Sequence, residues 1–366
     1  MLKRFEVTEF KNFSQKLTVD FSGVHDYQFH TDCITEGLIG KMIIYGKNSV
    51  GKSNLGLAMF DLVSHLTEQN VSPGLYDYYI NSDSLSNRVW FHYQFQFGHD
   101  VVDYEYKKDG QRTLVYESVK INEKLLFWFD HVSGDGDLSG IKALAPTLNL
   151  SLKGIDSVLR YLINNTVLDD AHPLRKLMAF VSSMLWFRNL DENRYIGYMN
   201  KTDDYINFIF QPDHLAEFQD FLHRSGVKEN LIVHENADGN QVLYFDKNKP
   251  LAFLKTASNG TKALYTLFYW LKTAKDVSLL FIDEFDAFYH YELAESIVAM
   301  LEKMQNTQVI LTSHNTNLLS NRIMRPDCYF ILTENCLTSF VNATKRELRE
   351  GHNLEKLYMS GEFNGS

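Results

Sequence analysis

The sequence predicts an α/β fold: a mixed central sheet built around a phosphate-binding loop, an antiparallel lobe beside it, and a mainly helical insert between the two halves. Three observations lead there. The apolar run Lys41–Tyr45 feeds Gly46-Lys47-Asn48-Ser49-Val50-Gly51-Lys52-Ser53, a full match to G-x-x-x-x-G-K-[ST], and a helical pattern follows. Farther on, the short apolar runs Val277–Ile282 and Val309–Thr312 flank a helical stretch, a βαβ pattern that makes its two strands parallel. Between them Val89–Phe97 alternates, with Val89, Phe91, Tyr93, Phe95 and Phe97 on one face and Trp90, His92, Gln94 and Gln96 on the other, as in an antiparallel sheet with one packed face.

In chain order, Phe5–Phe10 and Leu17–Phe21 read as strands, and Ser53–Glu68 as a helix. Val102, Tyr104 and Tyr106 continue the alternation, and Leu114–Phe129 reads as a hairpin turning at Asn122–Lys124. The composition shifts near Gly134–Gly140. Val158–Leu162, Leu174–Leu190 and Leu215–Leu222 then have helical period, with Leu174–Leu190 readable either as core or as a partner surface. Leu231–His234 and Gln241–Phe245 form a hairpin around Asp238-Gly239. The expected organisation is an N-terminal half at 1–130, an insert at 131–230 and a C-terminal half at 231–366.

The 366 residues carry a formal net charge of −10, which does not favour unaided DNA binding. Cys33, Cys328 and Cys336 lack metal-site spacing and read as reduced, mostly buried thiols. Lys3, Arg4 and Glu6 interrupt any apolar run at the start, and no stretch approaches the ~20 apolar residues that span a bilayer, so a cytoplasmic protein with no membrane partner is expected.

The loop dictates its chemistry. Its glycines let backbone N–H groups of Gly46, Asn48, Ser49, Val50 and Gly51 form a nest for phosphate oxygens, and the helix opening at Lys52, Ser53 and Asn54 adds its positive end. Lys52 should reach the β- and γ-phosphates of ATP, and the Ser53 hydroxyl should ligate Mg2+. The strand Val277–Ile282 runs into Asp283-Glu284. Asp283 is placed to hold Mg2+ and Glu284 to orient or deprotonate the attacking water. His314, after the strand Val309–Thr312, stands where a γ-phosphate sensor would. Ala257-Ser258-Asn259-Gly260-Thr261-Lys262 opens the helical stretch Ala263–Ala274; Ser258, Asn259 and Gly260 offer either a second anion site or a plain serine cap.

In this order the four elements resemble ABC-type ATPase heads of the SMC, RecF and OLD kind, and within them the short AAA-family ATP-binding proteins of prokaryotic anti-phage systems. The opening Val7-Thr8-Glu9-Phe10-Lys11-Asn12-Phe13 is similar to that group's first strand and turn, which implies that Lys11 and Asn12 touch nucleotide. The stretch Asp283–His290 resembles its D-E-x-x-x-x-L-H, and the tail His352–Phe363 its closing Y-x-x-G-x-F. His290 departs from transport-type relatives, which place an aspartate there. A Q-loop glutamine is not fixed: Gln94 and Gln96 are candidates, or simply outward polar residues of a strand. The resemblance implies an ATPase whose site is split between subunits, with one copy supplying the loop, Asp283, Glu284 and His314 and the other Ser258 and Gly260. A head-to-tail dimer, or a higher oligomer, is expected. It would act as a switch for a separate effector, often a nuclease, in answer to a phage-derived trigger. The alternative is a RecF/SMC-like ATPase acting on DNA in repair or recombination.

Overall fold

The computed structural model describes residues 1–188, 194–197, 205–236, 238–274, 276–334 and 336–363. Its centre is an eight-stranded sheet. Across it run Leu337–Ser339, Tyr329–Leu332, Lys41–Tyr45, Gln308–Thr312, Leu279–Asp283, Leu185–Arg188, Tyr195–Gly197 and Asn70–Val71. The five strands from Tyr329–Leu332 through Leu185–Arg188 are parallel to one another. Lys41–Tyr45, Leu279–Asp283 and Gln308–Thr312 are buried at every position, as strands covered on both faces must be. The edge strands Leu337–Ser339, Tyr195–Gly197 and Asn70–Val71 pair antiparallel.

The second sheet is antiparallel and seven-stranded: Leu2–Thr8 lies between the edge strand Leu17–Asp20 and Val89–Phe97, and the meander Asp100–Gly110, Thr113–Ile121, Lys124–Asp130 continues beyond Val89–Phe97. Its alternation is that of the sequence: Val89, Phe91, Tyr93 and Phe95 are fully buried, while Trp90, His92 and Gln94 are half-buried on the outer face. Its aromatic face packs on the helix after the phosphate loop, where Tyr93 Oη donates to Ala58 O at 2.9 Å and Tyr106 Oη to Asp61 Oδ2 at 2.9 Å. The mixed sheet, the antiparallel lobe and the intervening helices are therefore the architecture expected.

Three elements differ from their sequence reading. The helix after the loop covers Lys52–Met59, and after the residues around Phe60 only a short turn, Val63–Leu66, follows, instead of one helix to Glu68. Leu174–Leu190 is not one helix. A helix ends at Ser182 and a strand, Leu185–Arg188, enters the central sheet parallel to Leu279–Asp283; Leu190 lies outside the described residues. Ser183 caps that helix end through its own side chain to Ala179 O, and the β-favouring Leu-Trp-Phe run then finds a sheet edge to pair with. Met184 and Trp186 are buried, so this stretch is core. Finally, the helix over Ala263–Ala274 starts four residues earlier, at Asn259. Among the described residues no helix is long and apolar enough to cross a membrane, and Cys33 and Cys328 are buried while Cys336 is exposed.

Candidate functional site

Ligands of parallel sheets gather at the carboxyl ends of the strands. Four such ends meet here. Tyr45 leads into Gly46, Asp283 into Glu284, Thr312 into Ser313 and His314, and Arg188 closes the fourth strand. The registers fix their spacing: Thr312 pairs with Ile44, Ile282 with Leu311 and Arg188 with Asp283.

The phosphate loop turns through left-handed backbone at Ser49 (φ 64°) and Gly51 (φ 107°). A β-carbon at Gly51 would also collide with the Asn12 side chain, so glycine is required on both counts. Asn12 Nδ2 donates to Val50 O at 3.0 Å and its Oδ1 accepts from Asn54 Nδ2 at 2.7 Å. Lys11 is itself left-handed (φ 47°) and its ammonium donates to Asp77 O. Asn12 thus braces the loop from outside, while Lys11 is bonded to the segment 77–81. Lys52 folds over the loop, donating to Gly46 O at 3.0 Å and Lys47 O at 3.2 Å. Burial lowers its pKa, against the pull of Asp283 and Glu284. Asn48 and Ser49 are exposed at the loop tip.

Asp283 is fully buried. Its Oδ1 accepts from Thr312 Oγ1 at 2.8 Å, and the same hydroxyl accepts from the Glu284 N–H at 2.7 Å. Thr312 therefore clamps both acids. Glu284 sits in left-handed backbone (φ 50°), where the strand ends. Burial raises the Asp283 pKa, and the Arg188 charge is the largest influence opposing it. Ser313 Oγ donates to Asp286 Oδ2 at 2.6 Å, tying the two strand ends together. His314 is exposed, and burial of its ring and then the Lys52 charge lower its pKa, outweighing the two carboxylates. The lowered pKa favours the neutral ring, which can donate one hydrogen bond and accept another.

Sequence reasoning missed Arg188. Its guanidinium donates through Nη2 to Ser53 Oγ at 3.1 Å and to Glu284 Oε1 at 3.3 Å, and its Nε faces Asp283 Oδ2 at 3.1 Å. A signal was present. Leu185-Trp186-Phe187 is an apolar run ending in a charge, like the run that ends at Asp283, but it follows a helical pattern without a proline or glycine break.

The site's oxygens suit a hard divalent cation. Ser53 and the two acids converge on one positive group, and among the described residues no set of three or more His, Cys, Asp and Glu could hold a metal alone. An ion here needs most of its ligands from phosphates and water, as Mg2+ does in nucleotide sites. The loop nest suits the phosphates themselves. A cavity of about 590 Å3 opens on the other side of the loop, between residues 46–50 and Leu332, Glu334, Tyr358 and Phe363.

The structure does not bring Ser258, Asn259 and Gly260 into this group. Ser258 caps its own helix, accepting from Thr261 N at 3.2 Å, and is exposed. Gly260 lies against Phe288 O, where a β-carbon would stand 3.2 Å away. Among the described residues no hydrogen bond or ion pair joins these three to the loop. Gln94 donates to Asp103 Oδ1 at 3.1 Å on the outer face of the antiparallel sheet, where its strand neighbour Gln96 also lies partly buried.

No curated protein matches the chain. Among solved structures it is similar to the SMC head domain from Thermotoga maritima (14% identity, 92% of this chain and 98% of that one, TM-score 0.41). It is also similar to the Pyrococcus furiosus Smc head bound to the C-terminal domain of ScpA (12%, 92% and 95%, 0.43) and to the recombination mediator RecF with ATP (13%, 93% and 99%, 0.40). These likenesses are distant. A family model matches residues 41–320, from the strand before the phosphate loop to just past His314. The chain belongs to that family, described as "AAA domain, putative AbiEii toxin, Type IV TA system".

Proposed function

We propose that the chain binds ATP with Mg2+, hydrolyses it, and does so as a head-to-tail dimer that switches a separate effector in anti-phage defence. The observation that carries the ATPase reading is the meeting of the loop, Asp283-Glu284 and His314 at the carboxyl ends of neighbouring strands, with Thr312 holding both acids.

Each residue then has a task. The loop N–H groups and Lys52 hold the phosphates, and Lys52 leaves its own loop carbonyls to do so. Ser53 and Asp283 would hold Mg2+, which supplies positive charge to the β- and γ-phosphates when bound. Glu284 orients water and takes its proton, and neutral His314 donates to the γ-phosphate. The cavity walled by Tyr358 and Phe363 is our assignment for the base and ribose, which gives the tail a role. Ser258, exposed, and Gly260 beside it, neither bonded to their own loop, would complete a partner's site.

The defence role is supported by the family description and by the sequence resemblance. The partner surface is placed on 131–230, because that segment delivers Arg188 to the site and so offers a physical route from a bound effector to the acids.

Lys52→Ala should abolish ATP binding in equilibrium dialysis. Glu284→Gln should keep binding and lose turnover by about 100-fold or more, the scale of a general base. Wild-type turnover in Glu284→Gln would overturn the catalytic assignment.

A further inference from the structure

The two groups assigned to the metal, with the acid beside them, already face a cation. The Ser53 hydroxyl, Asp283 Oδ2 and Glu284 Oε1 all face the Arg188 guanidinium, at 3.1, 3.1 and 3.3 Å. We infer that Arg188 is a positioning residue that stands in the metal's place in the nucleotide-free protein, keeps these three donors together, and yields to Mg2+ only when ATP arrives. The inference rests on the nucleotide reading above.

The geometry requires an arginine-like group. Arg188 and Asp283 are paired across neighbouring parallel strands, so the side chain begins one strand spacing from the acid and folds over its end. Asp283 is fully buried and Glu284 follows it directly. The buried Asp283, with the partly exposed Glu284 beside it, needs a counter-charge, because a buried carboxylate without one is strongly destabilising. A guanidinium supplies that charge and, with several N–H groups in one plane, reaches three oxygens at once. Serine hydroxyl, buried aspartate and adjacent glutamate are thus held in place before any ligand binds.

Both cations cannot be present. Mg2+ sits about 2.0–2.1 Å from its oxygens, which leaves no room for a guanidinium lodged among the same atoms. Arg188 is partly open to solvent, with 27% of its side chain exposed, so it has somewhere to go. Mg2+ alone must displace it without help. ATP changes the balance twice, by supplying phosphate oxygens to the metal and by offering the departing guanidinium a bidentate anionic partner. Metal and nucleotide binding are therefore coupled, each strengthening the other by the same factor. The device would keep free divalent ions from occupying, and idling, the site.

The test is Mn2+ binding to the full nucleotide-free chain, followed by electron paramagnetic resonance, with thermal melting alongside. Arg188→Gln should bind Mn2+ about tenfold or more tightly than wild type, since a neutral side chain no longer competes for the carboxylates. Arg188→Lys, which keeps the charge, should stay nearer wild type. Mn2+ should raise the melting temperature of Arg188→Gln more than that of wild type. If the glutamine variant folds only with Mn2+, that dependence is the same result in stronger form. A glutamine variant that Mn2+ neither binds better nor stabilises more overturns the proposal. Failure of wild type to bind a fluorescent ATP analogue with Mg2+ would instead sink the nucleotide reading, whatever Mn2+ does.

Discussion

Thr312 shows how much one hydroxyl organises. It donates to the buried Asp283 and accepts from the Glu284 N–H, so a single oxygen atom ties the two acids together. Thr312→Val keeps the shape and removes both bonds. The expected outcome is a loss of about 1–3 kcal/mol in urea unfolding, the cost of leaving buried polar groups unpaired. Turnover should fall at least tenfold, with ATP affinity close to wild type, because the loop itself is untouched; unchanged turnover would show that the clamp is idle. At this scale the sequence was highly legible where a motif has fixed spacing. Gly46 to Ser53, Asp283-Glu284 and His314 each follow an apolar run that could hardly be anything but a buried strand. Arg188 was not legible, because nothing in Leu185-Trp186-Phe187 separates it from the helix before it. Its partners, Ser53 and Asp283, lie 135 and 95 positions away, and only tertiary pairing reveals them.

Among the elements, the helix after the phosphate loop is gripped from behind by the antiparallel lobe. Asp61, just past its end, is fully buried and meets Lys108 at 2.7 Å, with Tyr79 and Tyr106 donating to its two oxygens. Lys108 is equally buried; burial lowers its pKa and Asp61 opposes this. Lys108→Met strands a buried carboxylate and should cost about 3–5 kcal/mol, whereas adding Asp61→Leu should recover a large part of that loss. Urea unfolding of the two single variants and the double checks this. Additive losses would show that the pair does not act as a unit. The sequence displayed the sheet itself, since Val89–Phe97 alternates at every position. It concealed the ion pair, because Asp61 reads as a polar position on a helix and Lys108 as the end of a strand. The same blindness lengthened the first helix to Glu68: Leu62 and Leu66 keep a helical spacing although the chain has already turned at Phe60. Propensity and period describe local preference, and packing against the lobe decided where the helix stops.

For the molecule as a whole, the carboxyl ends of four neighbouring strands gather the loop, both acids, His314 and Arg188, while Ser258 lies exposed and caps its own helix and Gly260, half-buried, lies against Phe288 O. An isolated chain on this account binds ATP with an incomplete γ-phosphate site, and a second copy supplies the rest. ATP then acts as an adhesive between copies and hydrolysis as its release, which is what a nucleotide-driven switch requires. The direct measurement is the molar mass, by light scattering with Mg-ATP, of Glu284→Gln and of Glu284→Gln combined with Ser258→Arg. The account predicts a dimer for the first, and for the second a monomer that still binds ATP, though more weakly because the partner's contacts are lost. A Ser258→Arg chain that dimerises on ATP as readily as its parent would contradict it.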